Sequence, residues 1–352
     1  MNAREREDLS AAVWPDPGAV PPRVVRCRHC GTRNRVVVPV AVLDPASCRC
    51  GSCRGALLLA PDEPLEAISS SAYEHPLDRR ALDALQAVPG FPALLRWAMK
   101  HGNERAAWLQ AMSGAVRCDR AQFPELLALL DRARTSLDLP WEPALFLGES
   151  PFVNARTTGV EKPVLVVHSA LLDPLDDDEV VAVLGHELGH LHSDHVLYQT
   201  MARLLVWAGT LRGGLVNLLS WPLELALLRW SRCAELTCDR AALLASRDLG
   251  ACLHVHLKLA GGFRPGTKAR TRLRLAPFLA QARELESSEA GSLLDNALVT
   301  LLTAGRTHPF AAWRAMHLLQ WVEKGSFLDV LAGDYPRVDR VAPEAEPAPE
   351  PA

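Results

Sequence analysis

The residues best suited to chemistry are two histidines and a glutamate in the run His186-Glu187-Leu-Gly-His190, inside an apolar stretch long enough for a helix. Four residues advance an α-helix by about 400°, so His186 and His190 would share one face and could bind one zinc ion. Glu187, about 100° round the helix, could take a proton from a zinc-bound water. Because two histidines can share a face by chance, this hypothesis needs a third ligand.

The best candidate for the third ligand is Glu235, and Asp239 follows four residues later on the same predicted helical face. Glu235 would bind zinc, while Asp239 would accept the remaining ring N–H of a ligand histidine. The alternative is a pair of surface carboxylates, which the apolar residues around them disfavour. Cys233 and Cys238, in the same stretch, are interpreted as small buried side chains.

The helix with the two histidines is predicted to begin just after Asp176 and to run past His195. Asp176, with Glu179 three positions later, resembles a capping box. On a continuous helix His192 and His195 would lie off the ligand face, so neither is expected to bind the metal. Val196 stands where a metzincin would carry its third histidine, which excludes that pattern.

Four cysteines near the start predict a second metal site. Cys27-Arg-His-Cys30 and Cys50-Gly-Ser-Cys53 are two C-x-x-C pairs separated by 19 residues, the spacing of a four-cysteine zinc ribbon. Four thiolates leave no open position, so this zinc would be structural and would fold a module too small to fold alone. Cys48 is a spare cysteine that could compete with Cys50.

Composition bounds the class of protein. The 352-residue chain is 49% hydrophobic with a net charge of −3, which allows a sizeable core and makes a nucleic-acid partner unexpected. The charged start lacks the apolar core of a secretory signal, so the expected location is cytoplasmic, with thiols kept reduced. Seven arginines stand against one acid between Arg23 and Arg54. A solvated surface is favoured, since no aromatic residue interleaves them, but docking of an anionic partner stays open.

The expected fold is mostly α with a small β-sheet, preceded by the small β zinc ribbon. In the second domain, two strands are predicted: one from Leu145–Leu147 together with Phe152–Arg156, and one at Pro163–His168. A strand beside a zinc helix can bind an extended peptide at the sheet edge. Asn154 could present its amide there, although a strand-end hydrogen bond is the favoured role.

Helices are predicted at Asp78–Val88, Phe91–Met112 and Phe123–Leu137. The domain boundaries are a ribbon at 23–60, a linker or draped extension at 61–76, the main domain at 77–340 and a disordered tail at 341–352.

Several motifs in combination resemble the HtpX-like and CaaX-prenyl-protease-type zinc metallopeptidases, which are gluzincins, over roughly residues 75–320. They are Asn154-Ala155, Gly185 to His190, Ser231-Arg-x-x-Glu235-x-x-x-Asp239-Arg-Ala, and Thr307-His308-Pro309-Phe followed by Arg314. The resemblance implies zinc at His186, His190 and Glu235, Glu187 as general base, Asp239 behind a ligand, and Asn154 on the substrate backbone. It also implies that His308 and Arg314 stabilise the oxyanion or the substrate carbonyl. The cysteine pattern resembles the zinc ribbon preceding some thioredoxins, but no thioredoxin domain follows.

Membrane insertion is the point on which this chain departs from those families, whose members often carry several spanning helices. The candidate segment is 204–228, and its longest uncharged run, Gly213–Leu223, is shorter than the roughly 20 residues of a span. Arg212 and Glu224 interrupt it. The favoured interpretation is a helical hairpin packed on the core or dipped into a membrane surface, with true spanning as the minority alternative.

These patterns predict a zinc-dependent metalloendopeptidase that hydrolyses peptide bonds through a zinc-bound water activated by Glu187. It would hold one catalytic and one structural zinc ion and act on peptides or on unfolded or membrane proteins. The alternative is a catalytically silent, zinc-stabilised scaffold that docks a partner through its ribbon.

Overall fold

The computed structural model of the protein describes residues 22–36, 48–87, 90, 104–159, 162–199, 215–261, 273–289 and 310–339. These residues do not include the start of the helix predicted at Phe91, part of the 204–228 segment, His308 or the predicted tail.

The described part is mostly helical with two small sheets, which confirms the predicted fold class. The strands are β1 (Arg23–Arg26), β2 (Arg33–Val36), β3 (Ala115–Arg117), β4 (Ala144–Gly148), β5 (Ala155–Thr158) and β6 (Val164–His168). The helices are α1 (Pro76–Gln86), α2 (Glu104–Gly114), α3 (Pro124–Ser136), α4 (Ser169–Leu172), α5 (Asp177–His192), α6 (Leu215–Ser246), α7 (Leu249–Gly261), α8 (Leu275–Glu289), α9 (Ala311–Glu323) and α10 (Ser326–Leu331).

The larger sheet has four strands in the order β3-β4-β6-β5. β4 pairs in parallel with β6, and β5 pairs antiparallel on the other side of β6. The prediction that Leu145–Leu147 and Phe152–Arg156 form a single strand is therefore wrong. Pro151 lies between the two pieces and cannot donate a ladder hydrogen bond. Sequence reasoning also missed β3, which follows α2 directly.

Helix α5 begins as predicted. The side chain of Asp176 accepts from the N–H of Glu179, and the side chain of Glu179 accepts from the N–H of Asp176, so the capping box is confirmed. The helix ends earlier than predicted, at His192, because Asp194 adopts a left-handed φ of 56° before a new helical segment begins at His195. The prediction that α5 runs past His195 is wrong, and the break changes which way that side chain points.

Helices α5 and α6 approach each other through two glycines. A side-chain carbon on Gly189 would lie 2.7 Å from Cβ of Ala241, and one on Gly185 would overlap Ala245. Only a residue without Cβ allows so close an approach. This contact brings the histidines of α5 against the carboxylates of α6. No helix among the residues described is both long and apolar enough to traverse a bilayer.

The segment predicted as a linker or draped extension at 61–76 packs on the helical body. Leu65, Ile68 and Tyr73 are buried in it. The N–H of Leu65 donates to the carbonyl of Ser136 at 3.0 Å, and the N–H of Ser69 donates to that of Pro336 at 3.0 Å. Of the two alternatives, these contacts match the draped extension.

Candidate active site

Two histidines of α5 and one glutamate of α6 converge in the core. His186 Nε2 lies 3.4 Å from Glu235 Oε2, and His190 Nε2 lies 3.4 Å from Glu235 Oε1. The two imidazole rings are 5.0 Å apart and nearly perpendicular. All three side chains are buried. The spacing on α5 and the contact between α5 and α6 thus bring together the three donors that sequence reasoning selected.

Behind these donors, Asp239 and Arg314 form a buried ion pair. Arg314 Nε donates to Asp239 Oδ2 at 2.8 Å, and Arg314 Nη1 lies 3.1 Å from Glu235 Oε2. Asp239 Oδ1 lies 3.2 Å from His186 Nδ1, the position expected of a carboxylate that orients a ligand histidine. Burial alone would raise the pKa of Asp239, but the Arg314 guanidinium holds that pKa well below its usual range.

The charges of this cluster suit a divalent cation. The cluster contains three buried carboxylates, those of Glu187, Glu235 and Asp239, and one buried guanidinium, that of Arg314, so with neutral histidines it has two more negative charges than positive ones. Burial favours the neutral, metal-binding form of His190 by lowering its pKa. Its Nε2 is buried and has no hydrogen-bond partner within the part of the chain that the structure describes. A buried nitrogen aimed at a carboxylate, in a site with excess negative charge, fits a zinc ion.

Cys238 is a rival for the third donor. Its sulfur lies within 4.8 Å of a ring nitrogen of both His186 and His190. That sulfur is, however, 3.4 Å from His195 Nδ1, and burial raises the pKa of Cys238 well above its ordinary value. The carboxylate of Glu235, which faces both Nε2 atoms, is the better third donor.

Glu187 is held from the sheet. The hydroxyl of Thr157 in β5 donates to Glu187 Oε2 at 2.7 Å, and both side chains are buried. β5 is an edge of its sheet and lies against α5. Asn154 stands immediately before β5, and its backbone carbonyl accepts from the N–H of His168 at 3.0 Å. The predicted strand ended at Arg156, whereas β5 continues to Thr158, so sequence reasoning missed both the place of Thr157 in the strand and its contact with Glu187.

The structure describes only one of the two distal residues, His308 and Arg314, that the resemblance assigns to catalysis. His308 lies outside the described residues. Arg314, which the resemblance assigns to the oxyanion or the substrate carbonyl, is buried against Asp239 and Glu235. Sequence reasoning missed His256, whose Nε2 lies 3.6 Å from Asp239 Oδ1 and whose pKa burial lowers to about 4. The pattern alone gave no signal for this residue, because it lies on another helix, α7.

The four cysteines of the predicted ribbon form a compact cluster. The sulfur atoms of Cys27 and Cys53 are 3.6 Å apart, as are those of Cys30 and Cys50. All four lie within 4.8 Å of one another, and Cys48 is not in this group. Such a cluster has the four-thiol donor set of a structural zinc site.

The site combines a His-Glu-x-x-His helix, a glutamate from a second helix and an edge strand beside Glu187. That combination defines the chain as a metallopeptidase of the zinc-dependent kind. Residues 120–322, more than half of the chain, match peptidase family M48. The chain belongs to peptidase family M48.

The similar curated proteins agree with this assignment. The chain is 34% identical over 259 residues to the plastoglobule-localized metallopeptidase 48, chloroplastic, of Arabidopsis thaliana, an alignment covering 72% of this chain and 73% of that one. It is 36% identical over 102 residues to a protease HtpX homolog of Salinibacter ruber, covering 28% and 37%. A protease HtpX homolog of Moorella thermoacetica is 28% identical over 176 residues, covering 42% and 58%. The chain therefore spans less than two thirds of these two HtpX homologues. No solved structure matches the chain.

Proposed function

We propose that this M48 protease is a zinc-dependent metalloendopeptidase, with its reaction centre between α5, α6 and β5. The observation that supports this most directly is the convergence of His186, His190 and Glu235 on one buried point, with Glu187 beside it. His186, His190 and Glu235 would hold the metal. When bound, zinc would supply Lewis acidity, polarising a carbonyl and making a nearby water more acidic.

Glu187 would act as general base and then as general acid. Thr157 occupies Oε2 of Glu187 with its hydroxyl hydrogen, so we assign proton transfer to Oε1. The carboxylate would accept a proton from the attacking water and return it to the leaving amine nitrogen, leaving Glu187 unchanged over the cycle. Burial of Glu187 strengthens its electrostatic interactions, because little water screens it.

The substrate would be an extended peptide. β5 is an edge strand, so a substrate segment could add to it by main-chain hydrogen bonds. Asn154, immediately before β5, would contact the substrate backbone there. Arg314 would hold Asp239 and Glu235 in place instead of contacting substrate, because both its partners are buried. The ribbon cysteines Cys27, Cys30, Cys50 and Cys53 would bind a second, structural zinc ion.

Cleavage of unfolded casein by the zinc-loaded chain, with and without a chelator, tests the proposal. We expect cleavage that the chelator abolishes and added zinc restores. Glu187→Gln should retain zinc and lose turnover by about 10²-fold or more, since general-base catalysis contributes about 10²–10⁴-fold. Glu125→Gln, an exposed glutamate of α3, is the matched control and should cleave normally. Full activity of Glu187→Gln would refute the assigned role.

A further inference from the structure

The two histidines of the proposed metal site are supported in different ways. His186 has a carboxylate directly behind it, with Asp239 Oδ1 3.2 Å from its Nδ1. His190 Nδ1 instead faces a second imidazole, with His195 Nδ1 at 3.4 Å, and the side-chain nitrogen Nε2 of Gln199 at 3.3 Å. His195 is buried and lies beside His190 because α5 breaks at Asp194.

On the Nδ1 side of His190, the carboxylate of Asp78 contacts His195 and not His190 itself. His195 Nε2 lies 3.0 Å from Asp78 Oδ2, and both side chains are almost fully buried. An ionised carboxylate can only accept, so Nε2 of His195 carries a hydrogen and donates it to Asp78. In a neutral imidazole the other nitrogen is then an acceptor. Nδ1 of His195 can accept the thiol hydrogen of Cys238, whose sulfur lies 3.4 Å away, or the Nδ1–H of His190, and a His190 that binds metal through Nε2 carries its hydrogen on Nδ1. That tautomer of His190 presents a bare Nε2 toward Glu235.

Asp78 is itself fixed against α6. The hydroxyl of Thr237 accepts from the backbone N–H of His75 at 3.0 Å and donates to Asp78 Oδ2. Thr237 lies on α6 between Glu235 and Asp239. Asp78 also lies in the first turn of α1, where the helix dipole favours a negative charge. Burial raises the pKa of Asp78, but the hydrogen bonds from His195 and Thr237 outweigh it and keep this pKa below the usual value.

We infer that Asp78 and His195 are positioning residues for the second metal ligand, which fix the tautomer and ring orientation of His190 through a chain of two hydrogen bonds. The inference rests on the proposed metal site. Its consequence is that α1, which precedes the family match at residues 120–322, completes the metal centre. A carboxylate behind a ligand histidine raises the basicity of that ligand, and here an imidazole transmits the effect.

The test compares two replacements of His195 in the full-length chain. His195→Asn places an amide oxygen close to where Nδ1 stands and can still accept from His190, whereas His195→Leu cannot. Zinc affinity is measured by competition with a chelator, and the cobalt(II)-substituted protein reports ligand geometry through its absorption spectrum. We expect His195→Leu to weaken zinc binding by about 10–100-fold, the usual effect of losing such a support. His195→Asn should recover most of that loss, and Asp78→Asn should weaken binding less than His195→Leu.

Glu179→Gln is the matched control. Glu179 is a buried carboxylate of α5, paired with Lys258 and away from the histidines. Its variant should lower the melting temperature without changing zinc affinity or the cobalt spectrum. The inference is overturned if wild type binds two zinc ions and His195→Leu binds both with unchanged affinity, or if His195→Asn is as weak as His195→Leu. A wild-type chain that binds only the ribbon zinc would reject the proposed function, and this inference with it.

Discussion

The contact between α5 and α6 at Gly189 supports a quantitative prediction about Gly189→Ala. The added methyl carbon would lie 2.7 Å from Cβ of Ala241 and 3.2 Å from Cα of Cys238, whereas ordinary contact begins at 3.4 Å. The two helices must therefore separate by about 0.7 Å to relieve the shorter contact. The ligand histidines lie on α5 and Glu235 lies on α6, so separating the helices moves Glu235 away from the histidines.

The expected loss of zinc affinity is comparable in free energy with the expected loss of stability, since each tenfold change in affinity is about 1.4 kcal/mol. Donor–metal distances in built sites hold to about 0.2 Å, so we expect this shift to weaken zinc binding by about 10–100-fold, as the loss of a residue that orients a metal ligand does. Overpacking costs about 1–3 kcal/mol, and the better helix propensity of alanine returns about 0.5–1 kcal/mol. The free energy of unfolding of the metal-free Gly189→Ala protein should thus fall by about 0–2.5 kcal/mol.

Chelator competition and denaturant unfolding measure the two quantities. Gly114→Ala is the control, because a carbon added at this exposed last residue of α2 meets no atom within 4 Å. The double variant Gly189→Ala/Ala241→Gly moves the methyl group from one helix to the other and should recover most of the zinc affinity. Wild-type zinc affinity in the single variant, or no recovery in the double variant, would refute the argument that this contact sets the site.

Two further predictions concern the sheet and the ribbon. Thr157→Val removes the hydroxyl that donates to Glu187 and should lower turnover by about tenfold with zinc content unchanged, because hydrogen bonds to charged groups contribute about 1.5–3 kcal/mol. Thr157→Ser, which keeps the hydroxyl, should restore turnover. Equal rates in the wild type and both variants would exclude a positioning role for Thr157. Cys53→Ser should reduce bound zinc, measured by metal analysis, from two ions per chain to one, whereas Cys48→Ala, outside the cluster, should keep two; retention of both ions in Cys53→Ser would remove that cysteine from the site.

Sequence reasoning correctly predicted the parts of the fold that depend only on residues close together in the chain. The capping box of Asp176 and Glu179 closes within one helical turn, and the structure shows both of its hydrogen bonds. The prediction failed at the end of the same helix, where Asp194 takes a left-handed conformation that no periodic pattern signals. It also failed for β4 and β5, since two short strands can pair on either side of a third.

The sequence by itself determined which side chains could do chemistry: His186 and His190 share a face because 3.6 residues make a turn. It also determined the donor types, since the two C-x-x-C pairs and the distal glutamate are explicit in the chain. Only the tertiary structure decided that Thr157 holds Glu187, and that Asp78 reaches His190 through His195. The physical reason is that periodicity is a local property of one backbone, whereas these contacts exist only after separate elements pack, here where glycines let α5 and α6 approach.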